Sequence, residues 1–60
     1  MYIIKIGLLE ESCSDVDSAM HKCFMLFPDA SFSSWNETKS ETWLDIVDDG
    51  QIVGKIFELE

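Results

Sequence analysis

Sixty residues carry twelve Asp plus Glu against four Lys and no Arg, a formal charge of −8, and so short a chain folds as one domain with a barely sufficient core. At 47% hydrophobic and 27% charged the composition is that of a folded chain, and no apolar run approaches the ~18 residues of a membrane span. The negative field repels phosphate backbones and anionic head groups, so neither direct nucleic-acid binding nor membrane-surface binding is expected.

Residues 2–8 are rich in β-branched side chains and end at polar Glu10-Glu11-Ser12, which predicts one strand. Tyr2, Ile4, Ile6 and Leu8 alternate onto a single face, the expected core face. The period then changes. Val16, Ala19, Met20, Cys23, Phe24 and Phe27 recur at helical spacing, so a helix is expected here, capped at Ser12 or Ser14 and stopped by Pro28. Asp15 and Asp17 then complement the positive end of its dipole, and His21 and Lys22 face solvent near its negative end. If the helix holds both Cys13 and Cys23, about 15 Å of rise separates them and no disulfide can form.

After Pro28 the alternation from Ala30 to Trp35 predicts a second strand, and Asn36 to Ser40 a polar turn. Residues 41–47 and 51–59 are two further strands joined by Asp48-Asp49-Gly50, a hairpin signal because a type I′ turn needs positive φ at both central positions. With Asp49 and Gly50 central, Asp48 faces Gln51, Val47 faces Ile52, Ile46 faces Val53 and Trp43 faces Ile56. The expected architecture is α+β, a single small domain over residues 1–60 in the order β-α-β-β-β, with an antiparallel-rich sheet and one helix on one face.

That hairpin is apolar on both sides. Leu44, Ile46, Val53, Phe57 and Leu59 form one face, interrupted by Lys55, and Trp43, Val47, Ile52 and Ile56 the other, interrupted by Asp45 and Gly54. One helix covers only one of them, so Trp43, with Trp35, is the expected anchor for another macromolecule. Around it Glu37, Glu41, Asp45, Asp48, Asp49 and Glu58 supply carboxylates, with Glu60 at the chain end. Carboxylates two residues apart on a strand stand about 6.6 Å from one another, so such a row can imitate a row of phosphates.

Catalysis finds no support. The chain has one His, no Gly-rich phosphate loop, no nucleophile elbow and no calcium-loop register, and no cofactor or metal is implied. The start of the chain does not read as a secretory signal, and two free thiols suit a cytoplasmic protein. The expected function is that of a small non-enzymatic inhibitor that docks on the basic, nucleic-acid-binding surface of a partner protein, as a DNA mimic. In size and charge alone it is similar to phage-encoded and immunity-type inhibitors, a likeness that no motif carries. The alternative is a homodimeric interaction module joined through the apolar sheet face, with the charge serving solubility.

Overall fold

In the computed structural model, which describes residues 1–59, the first strand stops at Ile6 and the chain turns back on itself. β1 (Tyr2–Ile6) pairs antiparallel with β2 (Leu9–Cys13), Ile6 opposite Leu9 and Tyr2 opposite Cys13. Gly7 and Leu8 make the turn, and of the two only Gly7 has positive φ, at +58°, the II′ pattern with glycine first. The single strand expected over 2–8 is therefore a hairpin. Leu8 is fully exposed at its tip rather than in the core, and Glu10-Glu11-Ser12 lies inside a strand. Glu60 lies outside the described residues.

α1 (Val16–Leu26) follows with most of the expected stripe: Ala19 and Cys23 are buried, Val16, Met20 and Phe27 half-buried, whereas Phe24 is exposed and meets Phe32 edge to face, ring centroids 5.3 Å apart. Its N-cap is Asp15 rather than Ser12 or Ser14. The Asp15 carboxylate accepts the Ser18 backbone N–H at 2.7 Å, satisfying one of the donors a helix start leaves free. The Phe27 N–H donates to the Cys23 carbonyl at 2.7 Å, and Pro28 follows the end. His21 and Lys22 sit a turn short of the negative end, which holds no basic residue. Lys22 instead pairs with Glu11 of β2 at 3.3 Å. Because Cys13 ends β2 and only Cys23 is helical, the 15 Å separation does not apply. Both are free thiols buried in one core.

The expected strand over 30–35 is two short pieces, β3 (Ser31–Phe32) and β4 (Asn36–Glu37), the second falling where a turn was expected. Both pair with β5 (Thr42–Asp48), which forms a hairpin with β6 (Gln51–Glu58). Asp49 and Gly50 both have positive φ (52° and 75°), as a type I′ turn requires. Every pairing is antiparallel, and the order is β2-β1-β6-β5-β3, with β4 also on β5. The class is α+β, one helix packed against an antiparallel six-stranded sheet.

Asp48 faces Gln51 and Val47 faces Ile52 as expected, but Ile46 faces Gly54. Val53 is the extra residue of a bulge, and it changes which side chains share a face. Trp43 stands opposite Phe57, and Leu44 opposite Ile56. Ile56 therefore belongs to the core face and Phe57 to the outer one, the reverse of a regular hairpin's assignment. Across the three middle strands Ile4, Ile56 and Leu44 are aligned and each at most 1% exposed. With Ile46, Cys13, Ala19, Cys23 and Ala30 they form the core. Gly54 is obligatory in its place: a Cβ there would lie 2.5 Å from the Lys5 carbonyl oxygen and 2.6 Å from Ile6 Cγ1.

Candidate functional site

The face of the sheet away from the helix is a small grid. Ser12, Ile3, Phe57, Trp43 and Asn36 align in one row, and Glu10, Lys5, Lys55 and Asp45 in the next. Trp43 and Phe57 are neighbours with ring centroids 6.5 Å apart. Over them lie two ammonium groups, Lys55 Nζ 5.2 Å from the Trp43 ring and Lys5 Nζ 5.3 Å from the Phe57 ring. An aromatic face attracts such a cation, and a lysine's methylene stem covers apolar surface while its head stays in water. Trp43 and Phe57 are accordingly half-buried rather than bare. The sequence leaves this face apolar. In the folded chain two of its four lysines stand side by side there.

Trp35 does not join Trp43. It packs against Tyr2 with ring centroids 6.1 Å apart, and Tyr2 shares the helix-side face with Ile4. The two tryptophans flank the sheet from opposite sides, so they do not form one anchor.

The carboxylates also divide. At one end of β5, Glu37 stands opposite Thr42, which stands opposite Glu58, placing the two acids two strand spacings (about 10 Å) apart on one face. Glu41 joins them from the loop between β4 and β5. A concavity of about 340 Å³ there is lined by Glu37, Thr38, Lys39, Ser40, Glu41 and Glu58, among others. The loop is held by Thr38, whose hydroxyl accepts the backbone N–H of Glu41 at 3.1 Å and whose own N–H donates to the Glu41 carbonyl at 2.8 Å. At the other end of β5, Asp48 and Asp49 occupy the hairpin turn, about 20 Å away along a seven-residue strand. Asp45 lies between, on the outer face opposite Lys55. No single row contains all six.

Among the described residues the only ion pair is Lys22–Glu11, so none of the six carboxylates is neutralised in a direct pair. Nor does any group of three or more His, Cys, Asp or Glu among those residues have the geometry to hold a metal ion. Titration behaviour is perturbed at two places. The Ser18 backbone N–H, and next its hydroxyl, hold the Asp15 carboxyl below its ordinary value. Burial, and next the neighbouring Cys13, push the Cys23 thiol up. Neither is part of an acid–base constellation.

A surface that the sequence did not disclose lies on the β2 side. Ile4, Leu9, Glu11, Lys22, Met25 and Leu26 line an apolar groove of about 320 Å³ between helix and strand. Met25 is 73% exposed and Leu26 54%. The sequence signal was Met25-Leu26 beside a stripe already complete without them.

No family model matches the chain, no curated protein matches it in sequence, and no solved structure matches it in fold.

Proposed function

We propose that this protein is a non-enzymatic docking protein whose β4–β5–β6 side engages a basic surface of a partner protein. The observation that carries this reading is the imbalance on that side. From β4 to the end of β6 there are six carboxylates and two lysines, and of those lysines Lys55 is turned over Trp43. Uncompensated charge of one sign accelerates encounter with a surface of the other sign and specifies which surfaces are refused. The concavity bounded by Glu37, Glu41 and Glu58 accepts a protruding Lys or Arg, and Asp48 and Asp49 give a second contact beyond it. The partner class that fits two separated anionic stations is a cationic channel of the kind that holds a nucleic-acid backbone, and occupying that channel inhibits its owner.

Capture from the native cell extract, with wild type compared with the variant Glu37→Gln/Glu41→Gln/Asp48→Asn/Asp49→Asn, tests this. The expected partner is a basic nucleic-acid-processing enzyme that the variant fails to retain, that duplex DNA displaces, and whose affinity falls steeply as salt rises from about 0.05 to 0.5 M. A captured partner indifferent to salt, to DNA and to the four substitutions overturns the reading.

A further inference from the structure

We propose that the β2 side of the molecule is covered by a second copy of this chain, β2 pairing antiparallel with its counterpart about a two-fold axis so that two sheets become one. Two independent features coincide there. β2 ends the strand order, so along Leu9–Cys13 the backbone groups facing away from β1 have no strand partner. An unpaired strand edge is a template for another strand. Directly beside that edge, on the helix side, runs the apolar groove walled by Leu9, Met25 and Leu26. A two-fold axis perpendicular to the sheet places both helices on the same face of the joined sheet. Each Met25–Leu26 wall then meets the other across the seam.

Charge selects a second copy as the occupant. Two chains of net −8 repel least where each is closest to local balance, and this side is closer to it than the β4–β5–β6 side. Glu11 is paired with Lys22 at 3.3 Å, and Glu10 stands opposite Lys5 in the ladder, whose ammonium lies over Phe57, so the four groups flanking strand and groove sum to zero with one of the two acids in an ion pair. Asp15 and Asp17 keep their charge beyond them, at the helix start. The β4–β5–β6 side begins two strand spacings (~10 Å) from β2 at β6 and ends four (~20 Å) away at β4, so joining through β2 keeps most of the uncompensated carboxylates of the two copies more than a screening length apart.

One side of a body measuring 30 × 21 × 21 Å offers at most on the order of 600 Å² per copy, so two copies must meet over most of that side to reach the roughly 1,000 Å² a specific interface needs. This surface is distinct from both the acidic side and the lysine-covered aromatic face, so the inference stands or falls independently of the proposed function.

Sedimentation equilibrium of the pure chain tests it. The expected mass is twice the 6.9 kDa of one chain, with Met25→Glu and Leu9→Lys each restoring the single-chain mass. Trp43→Ser should leave the dimer intact. Both disrupting positions are exposed, so the monomers they give should stay folded, which circular dichroism reads. Hydrogen exchange supplies a second readout that needs no variant: the amides of Leu9–Cys13 should gain protection as concentration rises. A wild type that sediments at 6.9 kDa up to millimolar concentration overturns the inference. So does a dimer that survives Met25→Glu and Leu9→Lys but dissociates on Trp43→Ser.

Discussion

β2 and the β3–β4 segment both close the sheet, yet they do so with opposite means. β2 is a continuous five-residue strand with two acids, of which Glu11 is ion-paired with Lys22 and Glu10 stands opposite Lys5, as Asp45 stands opposite Lys55. The other side is interrupted. Its strands are two residues each, and the carboxylates from Glu37 to Asp49 have no ion-pair partner among the described residues. A net charge of −8 is thus not a uniform coat. The difference teaches that total charge says little about where a small acidic protein can be approached, whereas the placement of four lysines says a good deal.

The largest effect comes from severing what joins the two sides. Ile56→Ala removes the centre of the buried Ile4–Ile56–Leu44 row and should cost about 2–5 kcal/mol. That is a large share of the roughly 3–9 kcal/mol a sixty-residue domain can command. Chemical denaturation followed by tryptophan fluorescence and by circular dichroism should show one coincident, early transition. Separate transitions would mean that the two sides are independently stable units. Gly54→Ala strikes the β1–β6 seam, where the new methyl meets backbone as well as Ile6. A loss of about 1–3 kcal/mol is expected from the same denaturation curves.

Neutralising charge should sharpen the contrast without touching stability. The four substitutions at Glu37, Glu41, Asp48 and Asp49 should leave the unfolding free energy within about 0.5 kcal/mol and remove the salt-dependent capture. Glu10→Gln/Glu11→Gln should leave that capture largely intact, and equal losses from the four substitutions and from these two would erase the distinction between the two sides.

Acid should act locally at the helix start. The Asp15 carboxyl is held below its ordinary value of 3.8 by the Ser18 N–H. A carboxyl depressed in the folded state binds its proton more readily once unfolded. Its stabilising contribution is therefore complete above that ordinary value and is lost as pH falls through the lower folded one. Thermal melts between pH 6 and pH 2 should consequently show a shallower decline for Asp15→Asn than for wild type. The smallest effect concerns Cys23, fully buried and with its thiol pushed up by burial. Iodoacetamide at neutral pH should leave it unmodified in the native protein and label it in denaturant, as mass spectrometry reads directly.

Where the chain's own periodicity or turn chemistry governs, the fold was legible from sequence. The helix from Val16 to Leu26 and the Asp49-Gly50 turn follow from spacing and from positive-φ chemistry, and both are present. β2 was not legible because Leu-Glu-Glu-Ser-Cys carries neither strand propensity nor alternation. It becomes a strand because Gly7 folds it back onto β1. The bulge at Val53 was invisible for a related reason. A regular hairpin satisfies the local pattern equally well, and only the close approach of β1 at Gly54 distinguishes the two registers. That one residue reassigned Ile56 and Phe57, and with them the character of the outer face. The candidate carboxylates were identifiable by type, but their division between the two ends of β5 depends on strand order, which no local pattern encodes.

Ser33 sets a limit on assembly. Between β3 and β4 its hydroxyl accepts the Asp45 N–H at 2.8 Å while its own N–H donates to the Asp45 carbonyl at 3.0 Å, so a side-chain oxygen stands where a strand would offer a carbonyl. The segment is spliced onto β5 without itself becoming a regular ladder, and an incoming strand finds no continuous set of donors and acceptors on it. Growth of a cross-strand fibril requires two receptive margins on every molecule. This one is blunted, so the chain can add a neighbour on one flank at most, and the series terminates after a single addition.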